Sequence, residues 1–363
     1  MGPRGCRFGI LYIGEAKLTD GDNVMPIHPD RTHPVTCPAV GRLLAAVPGA
    51  APVAETSVIE NLQASRRPDA CSWRSSAVGE PMIARAGHTR LWVLVEHPGP
   101  WPKTAPNGLM TQTLLDRIDS LTAPARLVLI RRPRNRHVTT PRWVLLWSDG
   151  VKHWMREGTV DNYDELADLP FEASATGIEP EVGATRHTPL FMVCTHGKKD
   201  TCCAELGRPI VTALAGIDGA DVWECTHIGG DRFAANMIAF PAGLYFSRLD
   251  ADSARATARE HLAGRMSLSH LRGRAALSPA AQLAEHAIRE VTGIDDVHTL
   301  ERVEERRTTG AATVVTMRIA SREFCVVVRP GPPETPFRHG CIPGADATWN
   351  RWIIDRLEEN TVE

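Results

Sequence analysis

Two short stretches concentrate the reactive side chains of this chain. "CTHGKKDTCC" runs from Cys194 to Cys203, and "CTHIGGDRFAANM" begins at Cys225, so that four cysteines, His196, His227 and Asp231 fall in two neighbouring loops. Each stretch directly follows an apolar run. A strand that ends in a cysteine, followed by a loop and a second cysteine entering a helix, brings two sulfurs to one point. The partial positive charge of the helix N-terminus lowers their pKa. Thiolates rather than thiols bind metals, so Cys194 and Cys203 are candidate ligands. The second loop offers His227 and Asp231 four residues apart, bridged by Gly229 and Gly230. Adjacent glycines permit backbone conformations closed to other residues and leave space for a bulky group against the chain. Cys225, Cys202 and His196 are alternative ligands, or groups that orient the ligands.

The surrounding pattern supplies the elements that must hold these loops. "PLFMVC" reads as a strand, "CCAELGRPIVTALAGI" as a helix, "ADVWEC" as a strand, "MIAFPAGLYFSRL" as a strand pair turned by Pro-Ala-Gly, and "ADSARATAREHLAGRM" as a helix opened by an Asp cap. Upstream, "LWVLVEHPGPW", a helical stretch around "MTQTLLDRIDSL", and the strands "ARLVLI", "RWVLLW" and "VKHWMRE" make another α/β unit. Residues 1–65 are breaker-rich, with one short helical pattern around "VGRLLAAV", and read as a loosely ordered leader. The expected organisation is that leader, an α/β unit over 66–185, a ligand-bearing α/β unit over 186–275, and a small α+β segment over 276–363. The segment's helix "SPAAQLAEHAIREVTG" is opened by Ser278 and closed by Gly293, and two strands, "ATVVTMRIA" and "EFCVVVR", come after it. The two α/β units share one order, strand, polar loop, strand, tight turn, strand, which suggests a degenerate duplication. Where the second has "CTHIGGD" the first has "RRPRNRH".

Composition excludes several classes. Of 363 residues, 43% are hydrophobic and 23% charged, and the formal net charge is −2, so no global field draws the chain to nucleic acid or to a membrane surface. No window is apolar enough for a membrane span, "MGPRGCRFGILYIGEAKL" is too charged for a signal peptide, and the expected compartment is the cytoplasm. Nine cysteines, an odd number, do not read as a secreted disulfide framework. Cys6 and Cys37 lie in the leader, Cys325 reads as core, and Cys71 and Cys341 read as structural residues outside the ligand-bearing unit.

"C-x8-C" at Cys194 and Cys203, "H-x-G-G-D" at His227 to Asp231, "CSWRSSAVGEPM" at 71, "LWVLVEHPGPW" at 91 and "LRGR" at 271 together resemble the sucrase/ferredoxin-like family. The resemblance implies a thioredoxin-like domain holding a [2Fe-2S] cluster. Cys194 and Cys203 would sit on one iron, with His227 as the first nitrogen ligand on the other. It also implies an electron carrier rather than a catalyst. The chain departs from the pattern at Asp231, where the better-studied eukaryotic members have a second histidine. A carboxylate there adds negative charge and is expected to lower the potential relative to a two-nitrogen site.

Two other chemistries fit the same residues: a thiol-redox protein using Cys202 or Cys203, and a structural zinc site from Cys194, Cys203, Cys225 and His227. The first lacks a C-x-x-C pair. No carboxylate pair stands out for sugar hydrolysis, and no P-loop or complete G-x-G-x-x-G is present. Arg131, Arg132, Arg134 and Arg136 crowd one loop, which reads as a solvated connection or as a docking point for an acidic redox partner.

Overall fold

Period-two alternation in the apolar runs builds the centre of the molecule. The computed structural model describes residues 41–43, 67, 69–133, 137–344 and 346–360. Apart from Gly41–Leu43 the leader lies outside the described residues, as do Cys6, Cys37, Arg134 and Arg136. In chain order, Gly41–Leu43 is β1, Cys71–Ala77 is α1, Leu91–Glu96 is β2, Gln112–Asp119 is α2, Ala125–Arg131 is β3, Arg142–Ser148 is β4 and His153–Thr159 is β5. A 3-10 turn over Tyr163–Asp168 leads to Phe171–Ala175 as α3 and Ala184–Thr185 as β6. Next come Leu190–Cys194 as β7, Thr201–Leu214 as α4, Asp221–Cys225 as β8, Met237–Phe240 as β9, Leu244–Phe246 as β10, Ala251–Leu262 as α5 and Leu271–Arg274 as β11. Pro279–Thr292 as α6 and the strands Leu300–Arg307, Thr313–Ile319, Arg322–Pro333 and Asn350–Asn360, β12 to β15, complete the described elements.

The fold is mixed α/β, with a ten-stranded mixed sheet and a five-stranded antiparallel one. The large sheet runs β11-β10-β9-β7-β8-β3-β2-β4-β5-β6. β2 lies parallel to β3 and antiparallel to β4, which pairs with β5; β7 lies parallel to β8 and antiparallel to β9, which pairs with β10. Both halves therefore have the same strand order, and they meet where the ends of β3 and β8 run antiparallel, Ile130 opposite Cys225 and Arg131 opposite Glu224.

Side chains alternate across a strand. Trp92 and Leu94 of β2 and Leu190, Met192 and Cys194 of β7 share one core cluster, whereas Leu91, Val93 and Val95 pack with α2 and α3, and Phe191 and Val193 with α4 and α5. The register places Cys194 beside Cys225, in the cluster that Cys203 joins from the start of α4. Apolar packing on both faces explains why these strands read as near-continuous hydrophobic runs.

The smaller sheet has the order β1-β15-β14-β13-β12 and packs on α6. Arg274 of β11 reaches Glu285 of α6 at 2.8 Å, and Glu285 also meets Arg289 at 3.1 Å, so a buried charge network ties the two sheets together. The cap residues behave as their types require: Asp250 accepts from the Asp252 and Ser253 backbones, Ser278 accepts from Ala281, and Gly293 ends α6 at φ 70°. At one place the local pattern misleads. Gly41–Leu43 lies in the stretch that reads as helical, yet it pairs as a strand with Glu358–Asn360 of β15. The unpaired backbone along that edge outweighs a short helical preference.

Candidate metal centre

The carboxyl end of β7 and the first turn of α4 bring the two cysteines of the C-x8-C pair together. Asp200 caps α4, its carboxylate accepting the Cys202 backbone N–H at 2.9 Å. One turn on, Gly207 lies so close to β7 that a Cβ there would stand 2.1 Å from the Cys194 carbonyl oxygen. Only glycine allows this approach. The ligand atoms of Cys194, Cys203 and His227 all lie within 4.8 Å of one another, with the Cys203 sulfur 3.8 Å from His227 Nδ1. Asp231 stands on the far side of the ring, 3.9 Å from His227 Nε2. The two cysteines are 1% exposed, whereas the His227 and Asp231 side chains are 17% and 23% exposed, so the sulfur end of the site is buried and the nitrogen and carboxylate end meets solvent.

The loop that carries His227 is held by its carbonyls. Arg126 of β3 donates to the oxygens of His227 at 2.6 Å and Ile228 at 3.3 Å, and the Tyr245 hydroxyl also donates to Ile228 at 3.3 Å. Arg272 donates to the Gly229 oxygen and Asn236 to that of Gly230, each at 2.9 Å. Gly229 and Gly230 take φ of 87° and 74°, the left-handed region. A Cβ on Gly230 would meet the Arg272 guanidinium at 2.5 Å, while one on Gly229 would meet nothing within 4 Å, so space for a bound group remains beside the latter. His196 completes the loop: one ring nitrogen bonds the Pro102 carbonyl at 2.9 Å and the other accepts the His227 backbone N–H at 3.3 Å. Burial pushes its pKa down, and the neutral ring with a proton on Nε2 satisfies both contacts.

Cys194 is the sulfur favoured as thiolate, because Cys203, Cys225 and His227 all offer it hydrogen bonds. Cys203 is pushed up by that same bond to Cys194 and by burial, and Cys225 is pushed up by burial first. Cys225 neighbours Cys194 in the sheet but stands outside the group that includes His227. Burial and the adjacent Asp200 raise Asp231. Two sulfurs and an imidazole form a donor set that could hold a metal ion, while Asp231 stands outside it across the His227 ring.

Cys202 turns away from this group. Its sulfur lies with those of Cys71 and Cys341 and with the Asp200 carboxylate, all within 4.8 Å of one another. Cys71 and Cys341, read from the sequence as structural residues outside the ligand-bearing unit, thus belong to a second thiol cluster. Arg131 pairs with Glu224 at 2.6 Å and stacks on Trp101, and Arg132 pairs with Asp221 and stacks on Trp223. Arg126, Arg272, Asn236 and Tyr245 are the residues that sequence reasoning did not assign to the site. Of these only "LRGR" carried a signal, as part of a quoted motif, and it said nothing of the loop carbonyls. A family model described as sucrase/ferredoxin-like matches residues 82–273, a span that contains Cys194, Cys203, His227 and Asp231. No curated protein and no solved structure matches the chain.

Proposed function

The chain belongs to the sucrase/ferredoxin-like family, and we propose from that premise that it is a [2Fe-2S] electron-transfer protein. The observation that carries this reading is the polarity of the site: two buried sulfurs at one end, and at the other His227 and Asp231 reaching solvent beside the open space at Gly229. In this reading Cys194 and Cys203 are the thiolate ligands, His227 is a nitrogen ligand, and Asp231 supplies a carboxylate oxygen. The family expectation of a thioredoxin-like ferredoxin domain agrees with the order strand, helix, strand, two antiparallel strands and helix from β7 to α5. The same strand order in the first half supports a degenerate duplication. The bound cluster would supply one-electron exchange.

The protein's own groups account for the rest. His196 and the donors at the loop carbonyls orient His227, an arrangement that fixes ring direction in metal sites generally. The Arg126 and Arg272 guanidiniums place positive charge beside the centre and favour its reduced form. Asp231 acts in the opposite sense, so Asp231→His is expected to raise the potential; a redox titration giving a lower one would refute that sign. Docking of an acidic redox partner at Arg131, Arg132, Arg134 and Arg136 belongs to the same proposal. The test there is Arg134→Glu with Arg136→Glu, since Arg131 and Arg132 also hold the fold. Slower electron transfer with a weaker salt dependence supports docking, and unchanged kinetics remove it.

A second reading rests on the compactness of the group. Ligand atoms within 4.8 Å of one another suit a single zinc ion bound by Cys194, Cys203 and His227. Anaerobic purification with visible absorption, EPR of the reduced protein and iron and sulfide assays separates the two. Colour, a rhombic reduced signal and equal iron and sulfide, lost together in Cys194→Ser, support the cluster. A colourless protein whose zinc is lost in Cys194→Ser establishes the second reading instead.

A further inference from the structure

The second thiol cluster has a construction that packing alone does not require. Cys71 opens α1, Cys202 lies in the first turn of α4, and Cys341 lies in the connection between β14 and β15. Their sulfurs form a triangle of 3.6 Å between Cys71 and Cys202, 3.3 Å between Cys202 and Cys341, and 3.5 Å between Cys341 and Cys71. All three are free cysteines. A disulfide would place two sulfurs about 2.05 Å apart. Thiolates about 2.3 Å from one tetrahedral ion stand about 3.8 Å apart, a few tenths of an ångström wider than this triangle.

N–H donors face the sulfurs of Cys202 and Cys341. The Cys71 backbone N–H points at the Cys341 sulfur at 3.4 Å, the Ser72 hydroxyl lies 3.3 Å from that of Cys202, and the Arg67 guanidinium lies 3.8 Å and 3.9 Å from the sulfurs of Cys202 and Cys341. Cysteines packed merely as hydrophobes need no such donors. The Asp200 carboxylate adds the fourth potential ligand atom: it accepts from the Cys71 thiol at 3.5 Å and from the backbones of Cys202 at 2.9 Å and Cys341 at 2.7 Å. Cys71, Cys202 and Asp200 are each at most 2% exposed, and Ala70 and Ala234 pack against the sulfurs.

We propose that Cys71, Cys202, Cys341 and a carboxylate oxygen of Asp200 bind a structural zinc ion, separate from the centre at Cys194. Three soft thiolates with one hard oxygen at a single point are a closed tetrahedral zinc set, with no position left for a substrate. The thiol protons leave to solvent as the ion enters, and no redox step is involved. The ion joins α1, α4 and the β14–β15 connection, which Arg74 already holds through the carbonyls of Arg338 at 3.1 Å and Gly340 at 2.7 Å. It would clamp the C-terminal segment onto the ligand-bearing half. The site stands independently of the cluster reading, although it uses the other side of the same helical turn.

Zinc, iron and sulfide are measured in the full-length protein and in Cys341→Ser, chosen because Cys341 lies in a connection rather than at the start of α4. The expected result is one zinc per chain that falls at least tenfold in the variant, with iron and sulfide unchanged. Zinc-edge X-ray absorption on the unaltered protein is expected to show three sulfurs and one lighter ligand, and this holds even if the variant does not fold. Absence of zinc, zinc retained in Cys341→Ser, copper in its place, or a disulfide among the three cysteines by mass spectrometry overturns the proposal. Zinc lost only in Cys194→Ser places the ion at the first centre and overturns both this site and the cluster. Zinc lost in Cys341→Ser from a protein without iron keeps this site and overturns the cluster alone.

Discussion

The two halves of the ten-stranded sheet share a strand order and differ in the connections at the ends of their parallel strands. After β7 and β8 the second half carries Cys203, His227 and Asp231. At and after the ends of β2 and β3 the first half carries Trp101, Arg131 and Arg132. The first half's side chains point back into the second: Arg131 and Arg132 pair with Glu224 and Asp221 of β8, Trp101 sets its edge against His196 at 5.9 Å, and Arg126 holds the His227 loop. One half is the wall against which the other builds its site. A shared strand order carries the candidate ligands in one half and supports in the other because chemistry resides in the connections, while the strands set only where those connections start.

The sharpest way to break the comparison is at Gly207, where the second half needs a contact that the wall does not supply. In Gly207→Ala the added Cβ would fall 2.1 Å from the Cys194 carbonyl oxygen, a backbone atom that no rotamer change can move aside. Gly207→Ala is expected to cost upward of about 3 kcal/mol, above ordinary overpacking, and to part Cys203 from Cys194. Urea unfolding with metal analysis checks both effects. A variant that keeps its stability and its metal would show that α4 is not held by this approach.

Next in size is the seam itself. Arg186 bridges Glu157 of β5, in the first half, at 2.7 Å and Asp221 of β8, in the second, at 2.6 Å. Burial alone would raise Glu157, but Arg186 and Arg142 outweigh it and hold it below its ordinary value. Burial would likewise raise Asp221, but the Trp223 indole and Arg132 and Arg186 hold it down. Carboxylates whose folded pKa is depressed stabilise the fold fully above their unfolded values of about 4, and that stability is lost as pH falls through the lower folded values. Arg186→Met is therefore expected to cost about 2 to 3 kcal/mol at pH 7 and to flatten the loss of stability below about pH 4. Unfolding midpoints measured across that range test the sign. A variant with the parent's acid slope would mean that the seam does not set the response to acid.

Much of this was legible in the sequence where one residue carries one signal. The apolar runs that became β2, β3, β7 and β8 announce themselves because both faces are buried, and the caps Asp250 and Ser278 because their side chains satisfy orphan N–H groups. Convergence of Cys194 and Cys203 follows from strand and helix ends, and the H-x-G-G-D motif joins His227 to them. What escaped is long-range. β12, "LERVEERR", is a strand with mostly exposed charged side chains and no alternation, held by its ladder to β13. Cys71 and Cys341 meet Cys202 only because the β14–β15 connection folds back over α1, which no local spacing encodes. The run Arg131, Arg132, Arg134 and Arg136 reads as a solvated connection or a docking point, yet Arg131 and Arg132 face acidic partners contributed by β8.

The smallest expected effect tests the wall most directly. Arg126 sits in β3, outside the ligand-bearing half, and touches the site only through the carbonyls of His227 and Ile228. Arg126→Gln shortens the side chain and removes the charge, so both oxygens lose a donor while Tyr245 keeps its bond to Ile228. The loss of charged hydrogen bonds of this kind is worth about 1.5 kcal/mol, or about tenfold in a rate. If the first half orients His227, the bound metal should pass to a chelator about ten times faster while the urea midpoint stays near that of the parent. If Arg126 serves only general stability, the midpoint should fall and the release rate should follow it. Equal release at equal stability would mean that Arg272, Asn236 and Tyr245 suffice, and that the ligand-bearing half holds its own loop.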